Sequence, residues 1–312
     1  MDPIDLTRLK TTSLQSQARK VEIDAFAKPF CRGSSFRDFF QSLPRVLAST
    51  ELRAAVDGFV KAYREEKMAI LAMGAHPIKV GLSPVIIQLL EKGVIKAVAM
   101  NGAGIIHDLE IAMVGQTSED VGRELDQGTF GMVEETSAVI NTAIAEGGGH
   151  GWGIGKSIGG KIVQKNYPFA NMSILATAER LGIPVTVHVA IGTDINHMHP
   201  TANGAAIGEG THRDFRIFAS VVSQLEGGVY LNLGSAVVLP EVFLKALAIA
   251  RNLGYGIEHF TAINMDFIRH YRPLVNVVER PTRLGGRGII LVGHHEIMFP
   301  LLAAAILEEI QS

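Results

Sequence analysis

Cysteine is almost absent from this chain. Cys31 is the only one in 312 residues, so no intrachain disulfide can form, which suits a reducing cytosol. It lies in a polar CRGSS stretch and reads as inert. An excess of one charge is also missing. Lys and Arg number 29 against 31 Asp and Glu, for a formal net charge of −2. That leaves no electrostatic footprint for nucleic acid or an anionic membrane. No uncharged apolar run approaches the ~18 residues that a spanning helix needs. The N-terminal MDPIDLTRLK carries acids and no apolar core, so it does not read as a signal peptide. Repeats, low-complexity tracts and a clear linker are lacking as well. These absences predict a cytoplasmic protein whose partner is a small molecule.

The composition is otherwise that of a well-packed domain, with 47% hydrophobic and 19% charged residues. Residues 1–50 are polar and irregular, with Pro29 and Pro44, and read as an N-terminal arm. Residues 51–312 read as one α/β domain. ELRAAVDGFVKAYREEK has the spacing of an amphipathic helix. Apolar runs near 69–73, 95–100, 185–189, 229–233, 259–264 and 288–292 predict about six strands, nearly all separated by helical segments. Strands apolar on both faces predict a Rossmann-like parallel sheet covered by helices on each side. ANMSILATAERLG reads as a helix ended by Gly182, and PEVFLKALAIARNLG as one with Pro240 at its start. Residues 116–147 read as two helices.

The strand ends carry the chemistry. MAILAMG ends in Gly74, and VIKAVAMNGAG ends in Asn101, Gly102, Ala103 and Gly104 before HDLE opens a helix. Small residues at such turns let the backbone approach a pyrophosphate, and the helix N-terminus supplies free N–H groups. The alternative is a tight turn made for packing, and the strict G-x-G-x-x-G spacing is not met. The glycine-dense EGGGHGWGIGKSIGGK (146–161) falls short of a phosphate loop because position 150 is His. It reads as a glycine-rich lid over a ligand or as a plain connection.

HVAIGTDINHMHP gathers His188, Asp194, His197 and His199 after a strand. His188, His197 and His199 are candidate zinc or iron ligands, and Asp194, His197 and His199 are equally suited to substrate binding or acid–base work. His107, His150 and His212 could join such a cluster. LNLGSA ends a strand in Gly234 and Ser235, and AINMD ends one in Asn264 and Asp266, where a carboxylate suits a ribose hydroxyl or a cationic substrate. In GHHE (293–296), Glu296 reads as a helix cap.

In this order, these segments resemble the deoxyhypusine synthase family over roughly residues 60–310. MGAHPIKVGLSPVIIQLLEKGVIKAVAMNGAGIIHDLEIA is similar to that family's cofactor half. GIPVTVHVAIGTD is similar to its Ile-Pro-Val strand ending in Thr-Asp, LNLGSAVV to its Gly-Gly-Gly-Val-Val turn, and IMFPLLAAAIL to its terminal helix. The resemblance implies a Rossmann-like sheet, NAD, and a homotetramer with active sites between paired subunits; a homodimer is the alternative. By position it implies NAD contacts from Ala75, His76, Asn101, Gly102, Ala103, Gly234, Ser235 and Asp266, and places Asp194 near the amine and the cofactor.

The departures are as informative. The family's acidic pair becomes Ile106 and His107. Its lysine loop has no counterpart, since VERPTRLGGRG puts Arg287 near that position and arginine stays protonated. LGSAVVLPE replaces the segment with its amine-binding histidine. The expectation is therefore an NAD-dependent transferase or oxidoreductase acting on a small polar or amine-containing metabolite, not deoxyhypusine synthesis itself. Asp194 would hold the positive group. His197, His199 or His107 would be the acid or base, and Lys79 or Lys156 would replace the lost lysine. The rivals are a metal-dependent hydrolase or lyase using the loop 188–199, and a non-catalytic nucleotide-binding subunit.

Overall fold

The computed structural model describes residues 1–310. They divide into two compact units, Met1–Thr50 and Glu51–Ser312. The first is largely exposed. Its one regular α-helix, Phe36–Ser42, starts at a capping box in which Ser35 and Asp38 satisfy each other's backbone N–H groups. Phe36 stacks on Phe40 at 6.2 Å.

The second unit is a six-stranded parallel sheet with helices on both faces. The strands are β1 (Ala69–Met73), β2 (Ala97–Asn101), β3 (Val185–His188), β4 (Val229–Leu233), β5 (Thr261–Asp266) and β6 (Arg287–Val292). Their order is β3-β2-β1-β4-β5-β6. The chain winds one way from β1 to β3, then crosses back beside β1 to lay down β4. The sheet's direction of growth therefore reverses between β1 and β4, which is where an open α/β sheet leaves a crevice at its carboxyl edge.

The central strands are apolar because both of their faces are covered, whereas β6, at the edge, is exposed at Arg287, Gly288 and Val292. β1 and β4 are buried at all five positions. Ile70, Ala72, Ala97, Ala99, Tyr230 and Ala262 pack on one face with Phe218, Leu239, Phe243, Leu247 and Val277. Leu71, Met73, Val98, Met100, Leu231 and Ile263 alternate onto the other face and are equally buried. Tyr230 lies flat on Phe243, with centroids 3.7 Å apart. The helix Ile174–Leu181 ends at Gly182 in the left-handed region, and Pro240 falls in the first turn of the helix Val238–Asn252.

Two sequence expectations shift. The fifth strand starts and ends two residues later than the hydrophobic run, so Asn264 lies inside the sheet and Asp266 is its last residue. The glycine-dense stretch is not a lid. It ends one helix, Glu134–Gly149, and begins another, Ile154–Lys165. Its glycines serve close packing: a Cβ at Gly155 would stand 2.0 Å from the Val185 carbonyl oxygen, so only glycine lets this helix lie against β3. Asp214, beneath the same helix start, accepts from the Gly155 and Val187 N–H groups at 3.0 and 2.9 Å.

Candidate functional site at the carboxyl edge of the sheet

The β1–β4 junction is built from backbone. Gly74 N–H donates to the Leu233 carbonyl and Gly234 N–H to the Met265 carbonyl, extending the ladder one residue past each strand. Gly234 has φ +66, and a side chain there would meet the His295 ring at 2.5 Å. The turn is held from below by Asn232. Its amide donates to the Ser235 carbonyl at 2.9 Å and to Asn264 Oδ1 at 2.7 Å. Ser235 Oγ in turn accepts from Leu239 N–H in the first turn of Val238–Asn252.

Above this junction stands a file of three side chains. His76 opens the single-turn helix His76–Lys79 after β1. Its Nδ1 lies 2.8 Å from Nδ1 of His295, the first residue of the last helix, His295–Ile310. His295 Nε2 lies 3.3 Å from Oδ1 of Asp266 at the end of β5. Asp266 and His295 are buried, and His76 is half-buried. Burial, then the neighbouring His295, holds the His76 imidazole below its ordinary pKa and so neutral near pH 7. Phe267 packs against both rings, with centroids 5.8 Å away in each case.

A second group of side chains lies beside the start of the helix Gly102–Val114. Asn101 caps that helix, its Oδ1 accepting from Gly104 N–H at 3.1 Å. The Asp194 carboxylate rests on Gly102, where a Cβ would lie 2.0 Å from Oδ2. Asp194, Lys79, Ala103, His107, Glu110 and Glu119 help line a cavity of about 160 Å³. The other two carboxylates already have partners. Glu110 accepts from Thr117 at 2.5 Å, and Glu119 accepts from Gly131 N–H at 3.0 Å. Burial pushes the Glu110 carboxyl up, but hydrogen bonds from His107 and Thr117 outweigh it and set its pKa below the usual range. Asp194 Oδ2 is buried without a hydrogen-bond partner among the described residues, with His197 Nε2 4.0 Å away. Burial raises the Asp194 pKa, against the pull of His197. A buried, unsatisfied carboxylate oxygen on a residue that lines a cavity is a ready acceptor for a ligand's cation or donor.

The structure therefore brings together many of the residues singled out from sequence, but in two groups. Ala75, His76, Gly234, Ser235 and Asp266 border the β1–β4 junction. Ala103, His107, Asp194 and Lys79 border the cavity, with Asn101, Gly102 and Gly104 in the helix start behind it. The two groups meet at His76–Lys79, whose end residues share one helical face.

Others lie elsewhere. His188 is in the core, 3.0 Å from Thr186 Oγ1 and packed edge-on to Phe218, and burial lowers its pKa to about 3. His199 bonds Thr201 at 2.8 Å. No three His, Cys, Asp or Glu side chains converge as metal ligands among the described residues. His188, His197 and His199 thus do not form the expected metal cluster, because His188 points into the sheet packing. Lys156 stands over Trp152 and lines another cavity beside Pro184 and Val185, at the opening of β3 and so at the opposite edge of the sheet. Arg287 is the exposed first residue of β6, also at that edge. His150 stacks on Trp152, and His212 is exposed. The sequence reading missed His295 and Phe267. The signal for His295 was present in GHHE, a polar cluster just past a strand, but only Glu296 was weighed there.

No protein-family model and no curated protein matches the chain, whereas solved structures do. The ternary complex of AgrE with ornithine and NAD+ superposes with a TM-score of 0.52 at 17% identity, over 89% of this chain and 34% of AgrE. This chain therefore spans about a third of AgrE's length. A "conserved putative LOR/SDH protein" from Methanococcus maripaludis S2 gives a TM-score of 0.52 at 13% identity, over 96% of this chain and 76% of that one. A "putative deoxyhypusine synthase" from Entamoeba histolytica gives 0.51 at 12% identity, over 90% and 96%. At these identities the likeness establishes the architecture, a Rossmann-like α/β sheet shared with deoxyhypusine synthase-like and AgrE-like proteins.

Proposed function

We propose that this chain is an NAD-dependent enzyme, a transferase or oxidoreductase, acting on a small polar metabolite that carries an amine. The observation that carries this reading is the unsatisfied Asp194 oxygen. Asp194 and Lys79 both line one cavity, one turn of helix from the β1–β4 junction. AgrE, similar in fold, binds ornithine and NAD+, which supports both halves of the proposal.

The residues at the junction fit a dinucleotide. Gly234 and Ser235 open the fifteen-residue helix Val238–Asn252, whose first N–H groups suit a phosphate. Asp266 at the end of β5 suits a ribose hydroxyl. At the turn Asn101–Gly104, Asn101 caps its own helix and the negative Asp194 carboxylate covers Gly102, where it would repel a phosphate. We assign that turn to the substrate instead. When bound, the nicotinamide supplies a hydride acceptor. Asp194 holds the substrate's ammonium, and Lys79 faces its anionic or hydroxyl-bearing end. Ile106, Val121 and Phe130 close the cavity's apolar wall and exclude water. A cytoplasmic location, with assembly into a homodimer or homotetramer, completes the proposal.

Calorimetric titration of the purified chain with NAD+ tests the cofactor half. Saturable heat that is lost in Gly234→Ala is expected, since the new methyl collides with His295. No heat with NAD+ or NADP+ would refute it. The substrate half predicts that ornithine or a diamine raises the melting temperature and that Asp194→Asn abolishes the shift.

A further inference from the structure

We infer that Asp266 and His295 together fix the tautomer of His76, leaving His76 Nε2 unprotonated at the mouth of the crevice as the enzyme's general base. The inference deepens the NAD-dependent reading and rests on it for the chemistry, but not for the geometry.

The argument is one of proton counting. The 2.8 Å contact between His76 Nδ1 and His295 Nδ1 holds one proton, because two protons would clash and none would set two lone pairs together. If His295 carried that proton as a neutral ring, its Nε2 would present a lone pair to Asp266 Oδ1 at 3.3 Å, where two acceptors repel. With the proton on His76, His295 carries its own on Nε2, which puts a positive N–H end beside the Asp266 carboxylate, although the two are not aligned as a hydrogen bond. With one proton on each ring, the buried carboxylate therefore selects the order Asp266, His295 Nε2–H, His76 Nδ1–H. His295 is fully buried and wedged on Gly234, so its ring cannot turn away. Asp266 is also fixed, its Oδ1 accepting from Phe267 N–H at 2.8 Å. His76 is the half-buried end of the file. The other charged groups that face it are Lys79 and Glu296.

In an oxidation for which bound NAD+ would supply the hydride acceptor, the substrate C–H bond would break with its electron pair. The proton on the substrate's adjacent oxygen or nitrogen moves to His76 Nε2. A C=O or C=N bond forms, and His76 becomes an imidazolium stabilised through His295 by Asp266. His76 is the catalytic residue in this scheme. His295 and Asp266 are positioning residues.

The test is nitrogen NMR on the ligand-free chain labelled with 15N-histidine, with His76 assigned from His76→Gln. A neutral His76 protonated on Nδ1 is expected, with a pyridine-like signal from Nε2. In Asp266→Asn the side-chain amide donates to His295 Nε2, so both rings should invert and His76 should show Nε2–H. His295→Phe, which keeps the packing volume, should release His76 to the Nε2–H form that free imidazole side chains favour. A wild-type His76 protonated on Nε2, a doubly protonated His295, or a His76 signal unchanged in both variants would overturn the inference. The calorimetry above reports separately on whether NAD binds at all.

Discussion

His188 shows how a residue suited to chemistry can be given over to structure. It closes β3 at the carboxyl edge, but its ring turns into the sheet against Phe218, and burial drives its pKa to about 3. The sign follows directly. The unfolded chain takes up a proton on this ring near pH 6.5 and the folded chain does not, so stability is present above that pH and is lost as pH falls toward 3. Chemical denaturation at pH 7 and pH 5 should show wild type losing about 2 kcal/mol more than His188→Gln over that interval. An equal loss in both would mean the ring is not held neutral. Asp194 makes the contrasting case. Its Oδ2 has no partner among the described residues, so Asp194→Asn removes a costly buried charge. That variant should be at least as stable as wild type while losing the amine-dependent thermal shift. A fall in melting temperature would mark Asp194 as a structural group.

The helix Ile154–Lys165 carries the clearest lesson about elements. Seen as sequence, GWGIGKSIGGK offers glycines without saying what they face, so a ligand loop and a packing surface look alike. In the fold the glycines face different surroundings. A methyl at Gly155 would strike the β3 backbone, and Gly155→Ala should cost about 3 kcal/mol. A methyl at Gly160 would meet nothing within 4 Å, and Gly160→Ala should gain about 1 kcal/mol through helix propensity. Paired thermal melts check both, and equal effects would show that the helix is not pressed against β3. The strands were legible for the opposite reason. AILAM is apolar at every position and VYLNL at all but Asn232, a pattern that a strand covered on both faces requires. The turns at Gly74, Asn101, Gly234 and Asp266 were legible because small or polar residues interrupt those runs. The pairing of His76 with His295 was not, because it joins positions 219 residues apart through a strand order that no local pattern encodes.

For the whole molecule, the β1–β4 reversal decides where binding energy can act. Thermal denaturation with saturating NAD+ should raise the melting temperature, by about 2.7 kcal/mol of added stability when the free ligand is 100 times its Kd. A ligand that left the melting curve unmoved would place no dinucleotide on this sheet. Among the described residues no helix is long and apolar enough to cross a membrane. One interaction outside the sheet bears on the segment that carries Asp194. Asn141, on the helix Glu134–Gly149, donates to the Asn196 carbonyl at 2.9 Å and to Thr201 at 3.0 Å, and Asn196 returns a bond to Asn141 Oδ1 at 3.1 Å. This reciprocal clasp pins the segment that bears Asp194 to a neighbouring helix rather than to the strand it leaves. The position of Asp194 therefore depends on a helix packed outside the sheet, so a change at Asn141 would reach that carboxylate without touching any of the six strands.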